Sequence, residues 1–585
     1  MQRDFLPTTW NEGRKYYRDF HSFDIVFVTG DPYYDHPLNG LALIARLLDK
    51  KGYKVAIIPQ PLSDQDYQVC GRPKYFFCIT SGLLDSMLAN YTPMLRKREN
   101  VLVPERALMV YTQKLKQFYS GCMTVLGGVE ATLRRFTHFD YRTNALRRGI
   151  LNDTKADILI FGNGERTILN LLKKIEKCTI NEKGSDFEKV REGLDLASLN
   201  GIAFRIKKEE INPKIRKLPS YEDCITDKNK LNLLTRMHYL LPEAAFIEPC
   251  GLGFIQHNRS SHILTEKELD LIYELPLTRE LHPTTKNLNM QKGMLGRLKT
   301  SVIIGRGCWG SCNFCVIPLV QGKEVAKRSK ESILKEVEKL YMEGNTLIND
   351  FTLPTLNMYG SYCSLYDEEE KIPSLITEKA VVVYNKTKYC NQQCVGCKYR
   401  KLSDDLVPLL EGVEKLQKKH KGKELELRSA IRHDIILDQQ ELFRNIMKFT
   451  NRLKIAPEHT STEVLKQMNK SNPGAFEEFL KLYKQVNKEQ NTNKNLVPYF
   501  IAGHPGTTKK DMGKLKEYCN KKEIYVNLTQ VFTPTPGTAS TAMYYTEENP
   551  LTKEKVYVPR SFREKKDQKN ILLNNEDEDF TDENS

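Results

Sequence analysis

The chain reads as an α/β protein in two parts, an N-terminal doubly wound domain followed by a partial (β/α) barrel. Short β-branched runs alternate with amphipathic helical stretches from Phe23 onward, the pattern of parallel strands joined by crossover helices. The alternation lapses at 201–295 and resumes at "TSVIIGRG", 300–307. At 585 residues, 40% of them apolar and 28% charged, the chain has material for two or three domains with cores of their own.

In order along the chain, "FDIVFVT" (23–29) and "YKVAII" (53–58) are strands around a helix in which Leu41, Ile44, Leu47 and Leu48 share one face before Gly52 ends it. Further strands follow at "KYFFCIT" (74–80), "MTVLGG" (123–128) and "DILIFGNGE" (157–165). Each ends in glycine or small residues, where doubly wound sheets place ligands. These make a first domain over 1–200. Residues 201–295, charged, weakly periodic and broken by Pro213, Pro219 and Pro283, read as a connecting region. The second α/β unit spans 296–560: a strand at 300–307, a helix capped near Ser329 that buries Ile333, Leu334, Val337, Leu340 and Tyr341, and strands within 453–460, 496–508 and 525–538. A cysteine-rich insertion falls near 360–400, and 561–585, ending "NNEDEDFTDENS", reads as a disordered acidic tail.

The first 20 residues lack the apolar core of a secretory signal, and no apolar run approaches the roughly 20 residues that span a bilayer, which predicts a cytoplasmic protein that makes no membrane contact. Thiols there stay reduced, so clustered cysteines are ligands rather than disulfides. A net charge of +15 leaves nucleic acid open as a partner, but lysine is spread over many faces, as in "KLYKQVNKEQ", and charge alone assigns nothing. Walker loop, Gly-x-Ser-x-Gly elbow and His-Glu-x-x-His helix are all missing from the sequence, which removes the P-loop and common hydrolase classes.

Cysteine spacing carries the chemistry. "GRGCWGSCNFC" (305–315) places Cys308, Cys312 and Cys315 in a C-x3-C-x2-C pattern, and "CNQQCVGC" repeats it at Cys390, Cys394 and Cys397. With 14 cysteines in the chain, chance supplies about 0.01 such triples. Three thiolates are one short of a closed zinc or cubane site, so the first loop leaves one metal corner for a small molecule. Gly307 and Gly310 let its backbone curl toward sulfur. The second triple has no strand before it and Gly396 in place of an aromatic, and Cys363 can complete a closed four-thiolate site with Cys390, Cys394 and Cys397. Zinc and an auxiliary iron–sulfur cluster both satisfy that set.

"CWGSCNFC" resembles the C-x3-C-x-aromatic-C signature of the radical S-adenosylmethionine (radical SAM) superfamily. The resemblance to its YgiQ-type branch runs through "DPYYDHPLNG", "LGGVEATLRRFTHFDY", "ADILIFGNGER", "LKIAPEHT", "VPYFIAGHPGTT" and "PTPGTASTAMYYTEENPL". It implies a radical SAM barrel behind a cobalamin-binding-like domain. It further implies that Cys308, Cys312 and Cys315 bind three irons of a [4Fe-4S] cluster whose fourth iron takes SAM. An electron donor such as flavodoxin or ferredoxin would then drive cleavage to a 5'-deoxyadenosyl radical; the substrate is not implied. Phe314 would lie near the adenine or serve as a core aromatic, and Arg306 is expected in solvent. Where the superfamily has a Gly-Gly-Glu-like turn for the SAM amine, this chain has "NDFTLPTLNMYG", making Asp350, Thr352 and Asn357 the substitutes. Gly503 and Gly506 of "GHPGTT" resemble another superfamily turn at the cofactor.

His36 in "DHPLNG" resembles a cobalamin-ligand motif with the wrong spacing, so a turn before a helix is expected and cobalamin is not. Glu458, His459, His433 and Asp434 are candidate acid–base or orienting groups, or satisfied polar groups at a barrel mouth. Two rivals remain: a methylthiotransferase-like activity on RNA or protein, and a non-enzymatic zinc-bearing nucleic-acid-binding protein in which both triples are structural.

Overall fold

The computed structural model of the chain describes residues 5–181, 191, 193–251, 253–285, 292–293, 295–296, 298–364, 394–526 and 529–573. Its main sheet starts with five parallel strands, β1 (Ile25–Thr29), β2 (Val55–Pro59), β3 (Phe76–Thr80), β4 (Met123–Leu126) and β5 (Ile158–Ile160), in the order β2-β1-β3-β4-β5. Every residue of β1, β4 and β5 is buried, which is why they read as near-continuous apolar runs rather than as alternating strands. The crossover from β1 goes to β2 on one side, and β3 lies on the other, so a topological switch point falls between β1 and β3. Helix α1 (Gly40–Lys50) is capped by Asn39, whose side chain accepts from Leu41 N, and it buries Leu43 and Leu48 against the sheet.

The sheet does not end near residue 200. Strands β6 (Ile202–Ile206), β7 (Arg216–Lys217), β8 (Phe246–Cys250) and β9 (Gly253–His257) extend it to nine in the order β5-β6-β9-β8-β7, with β5–β6, β6–β9 and β9–β8 antiparallel. The 201–295 stretch expected to connect domains therefore contributes four strands to this sheet. Its signal is weak because β7 has two residues, while β8 and β9 pair with their Cys250–Gly253 end less buried, where Pro249 and Gly253 are tolerated.

The second unit is a row of parallel strands. β10 (Ser301–Ile303) pairs with β12 (Asp350–Thr352), β11 (Leu347–Ile348) with β13 (Glu424–Leu425), and β14 (Arg452–Glu458) with β15 (Asn495–Ala502), which pairs with β16 (Thr529–Val531). A parallel bridge from Ile431 to Ile455 joins the two halves. Val302, Phe351, Leu425, Ile455 and Phe500 share one core with the outer helices, giving an open (β/α) barrel. Helix α2 (Phe562–Leu573) closes the unit, with Leu572 in that core and Lys565 and Gln568 fully buried. The expected tail at 561–585 thus begins with a packed helix, because the acidic composition sits beyond "FREKKDQKNILL"; residues 574–585 lie outside the described residues. Among the described residues no helix is long and apolar enough to cross a membrane.

Candidate metal centre

β10 leads into Gly305–Arg306, which pairs antiparallel with Ala326–Lys327, and the loop between these two arms carries the first three cysteines. Gly307 has φ +93°, and a Cβ there would lie 2.0 Å from the Glu324 carbonyl, so the loop can leave the strand only through glycine. Its far side is strapped to the barrel. Asn313 donates to Gln467 O (2.8 Å), Asn469 donates to Ser311 O (2.7 Å), and Ser540 N donates to Asn313 O (2.9 Å). Trp309, 2% exposed, donates its indole N–H to Ser361 Oγ at 2.8 Å.

The sulfurs have modest partners. Cys308 Sγ accepts from Gly310 N (3.4 Å) and stands 3.5 Å from Thr355 Oγ1, and Cys312 Sγ accepts from Arg432 Nη1 at 3.5 Å. Burial pushes the Cys308 and Cys315 thiols up; at Cys308 the Thr355 hydroxyl, the Gly310 N–H and the Arg432 charge pull the other way. Arg432 was not singled out from sequence. Its guanidinium is locked to Asp434 by paired bonds of 2.9 and 2.5 Å, its backbone N–H donates to Asn357 Oδ1 (2.9 Å), and its remaining nitrogen turns to Gly310 O and Cys312. Burial opposes its charge, but Asp434 more than restores it, and Arg432 in turn holds Asp434 well below the usual carboxylate range. Among the described residues, no three His, Cys, Asp or Glu side chains converge as ligands of one metal ion.

A family model described as Radical SAM N-terminal matches residues 5–294, and one described as a domain of unknown function (DUF3362) matches residues 527–581. The UPF0313 protein of Methanocaldococcus jannaschii is 35% identical over 98% of this chain and 93% of its own length. That of Thermotoga neapolitana is 34% identical over 97% and 98%. The chain belongs to the UPF0313 branch of the radical SAM proteins. Among solved structures, the radical S-adenosylmethionine methyltransferase TsrM from Kitasatospora setae, with cobalamin and a [4Fe-4S] cluster bound, superposes with a TM-score of 0.49 at 11% identity, over 89% of this chain and 77% of that one. A superposition that loose fixes no residue's role.

In this radical SAM protein the other expected site residues divide. Asn357, fully buried, donates to Arg432 O and Gln439 Oε1, so it belongs to the frame behind Cys312. Asp350 does not: Oδ1 accepts from Arg428 N and Ser429 N, and Oδ2 from Ser429 Oγ at 2.6 Å, which ties β12 to the next strand's end. Phe314 stands edge-on to His504 at 6.0 Å and packs with the core between the two units. Gly503 (φ +73°) and Gly506 (φ +92°) are needed for their turn, and the space where a Cβ would point holds Lys565 and Gln467. Arg306, expected in solvent, is instead largely covered, its side chain 13% exposed, and donates to Glu165 Oε1 (2.5 Å) and to the Tyr273 hydroxyl (2.8 Å). Sequence could not have found that pair, since Glu165 lies 141 residues away.

His36 is fully buried; its Nδ1 accepts from Leu38 N, its Nε2 faces Lys299 O and Arg279, and burial lowers it to about 3. Burial also lowers His433 to about 3 among Phe476 and Phe479, and His459 to about 4, its Nδ1 accepting from Thr460 N and Ser461 N. Glu458 pairs with Lys470 at 3.7 Å.

Of the second cysteine set, Cys390 lies outside the described residues. Cys394 packs with Cys308 around Trp309 and Met358. Arg400 links the two segments: it pairs with Glu324 through two 2.8 Å bonds, lies 5.0 Å over the Trp309 ring, and donates to Cys394 Sγ at 3.3 Å. Cys363 is buried in the two-residue ribbon that pairs with Arg400–Lys401.

Proposed function

We propose that Cys308, Cys312 and Cys315 hold a [4Fe-4S] cluster with one open iron, and that the protein is a radical SAM enzyme acting on a substrate the site does not name. The observation that carries this is the loop itself: three half-buried thiols on a curl that follows the first barrel strand and is strapped to the barrel through Ser311 and Asn313, in a member of a radical SAM family. When bound, such a cluster with SAM supplies one-electron cleavage to methionine and a 5'-deoxyadenosyl radical.

The chain's own residues prepare for it. Burial disfavours thiolate at Cys308 and Cys315 until metal binds, and the Gly310 N–H at Cys308 and the Arg432 cation at Cys312 are placed to offset thiolate charge. Asp434 and Asn357 hold that cation in place. Cys363, Cys390, Cys394 and Cys397 are proposed to bind an auxiliary metal, with Arg400 tying their segment to the first loop.

Anaerobic reconstitution of wild type and of Cys308→Ala, Cys312→Ala and Cys315→Ala, with reduced flavodoxin or dithionite, tests the reading. 5'-Deoxyadenosine should form with wild type alone, the far-ultraviolet circular dichroism staying unchanged. Equal product from a variant, or zinc in place of iron in wild type, would remove the proposal.

A further inference from the structure

The C-terminal edge of the main sheet faces the barrel across a cavity of about 410 Å³. It opens at the switch point between β1 and β3, where doubly wound folds take ligands, and its size is that of a small-molecule site. Most of its surface is apolar, from Leu43 and Ile44 on α1, Val125 on β4, Ile160 on β5, and Ile303 and Leu353 of the barrel. Gly127 stands on its rim in ordinary extended backbone, and a Cβ built there meets nothing within 4 Å.

One wall is polar and already organised. Asn163, which lines the cavity, donates from Nδ2 to Gln321 O (3.0 Å), and its Oδ1 has no partner among the described residues. Gln321 accepts at Oε1 from Gly307 N (3.1 Å), and its Nε2 donor is likewise unengaged among the described residues. Beside them Glu165 is 4% exposed; Arg306 occupies Oε1, while Oε2 is shut off from solvent and accepts nothing. Fixed polar atoms without partners on an apolar wall are what a ligand's own donors and acceptors complete.

We propose that this cavity is a second ligand site, separate from the cysteines, for an apolar small molecule bearing an amide edge. The amide N–H donates to Asn163 Oδ1 and its carbonyl accepts from Gln321 Nε2, while the apolar body fills the space between α1 and Leu353. The site adjoins the metal centre without using its sulfurs. Gln321 anchors Gly307, the residue before Cys308, and Leu353 lies two residues from Thr355, whose hydroxyl is 3.5 Å from Cys308 Sγ.

The test needs neither cluster nor turnover, so its failure and that of the SAM reading are separable. Calorimetric titration of the full chain with 2-quinolinone, a bicyclic lactam, is compared with N-methyl-2-quinolinone, which lacks the N–H. Wild type should bind the lactam about tenfold more tightly, the worth of one hydrogen bond. Gly127→Leu, which fills the rim, should abolish binding of both at unchanged melting temperature. Asn163→Ala should bring the two ligands to equal affinity while retaining binding. Equal affinities in wild type, or a Gly127→Leu protein that binds as wild type does, would overturn the site.

Discussion

Replacing Arg432 by methionine isolates the frame behind the cysteine loop. Arg432 and Asp434 are 7% and 6% exposed at their side chains and share two short hydrogen bonds, so removing the guanidinium leaves a buried carboxylate whose remaining hydrogen bond among the described residues is from Ile435 N (3.0 Å). Stranding one member of such a pair costs about 3–5 kcal/mol, or about two to three and a half decades in a local opening equilibrium. Amide hydrogen exchange on metal-free protein reads this directly. Protection at 430–436 and 308–313 should fall by at least about 100-fold in Arg432→Met. The double variant Arg432→Met/Asp434→Asn removes the stranded charge and should regain most of it. Both variants lack the bonds to Gly310 O and Cys312 Sγ, so both should bind less iron. Protection within threefold of wild type in the single variant, or no recovery in the double, would refute the reasoning.

Gly307→Ala should break the loop's exit from β10: a side chain at φ +93° costs about 1–2 kcal/mol before the clash with Glu324 O, and iron per chain after reconstitution should fall below half of wild type. Lys565 is fully buried against Tyr141 and Tyr544, and burial, helped by Arg560, lowers it from 10.5 to about 8. Between those values the unfolded chain keeps the proton that the folded chain has released, so stability rises with pH from about 8 to 10.5, by up to about 3 kcal/mol. The urea midpoint of wild type, less that of Lys565→Met, should climb across that window; a flat difference would contradict the shift. Arg400→Met should free the segment around Cys394 from the first loop, seen as faster exchange at 394–401 with the barrel's core strands unaffected.

Much of this architecture is written locally. β1, β4 and β5 are short buried runs, and the cysteine spacing and Gly307 sit inside one loop, so neighbouring residues suffice to find them. What escaped depends on distant partners. Arg432 reaches Cys312 from 120 residues away, and Glu165 meets Arg306 across 141, pairings that no local pattern encodes. β6 to β9 lie in a stretch that reads as a connector because short strands toward a sheet's edge carry little periodicity. α2 was hidden by the acidic stretch that follows it, and a lysine at a fully buried position gave no hint of a core contact. Asp350 has the right chemistry for an amine but spends both oxygens on the loop at Arg428–Ser429, a contact 78 residues away that no local pattern encodes.

Electron paramagnetic resonance of reduced, oxygen-free, reconstituted protein, recorded before and after adding SAM, bears most directly on the open-iron assignment. The account predicts a [4Fe-4S]⁺ signal whose g-values move when SAM is added to wild type and that is absent from Cys312→Ala. A wild-type signal that SAM leaves untouched, with iron fully loaded, would contradict it.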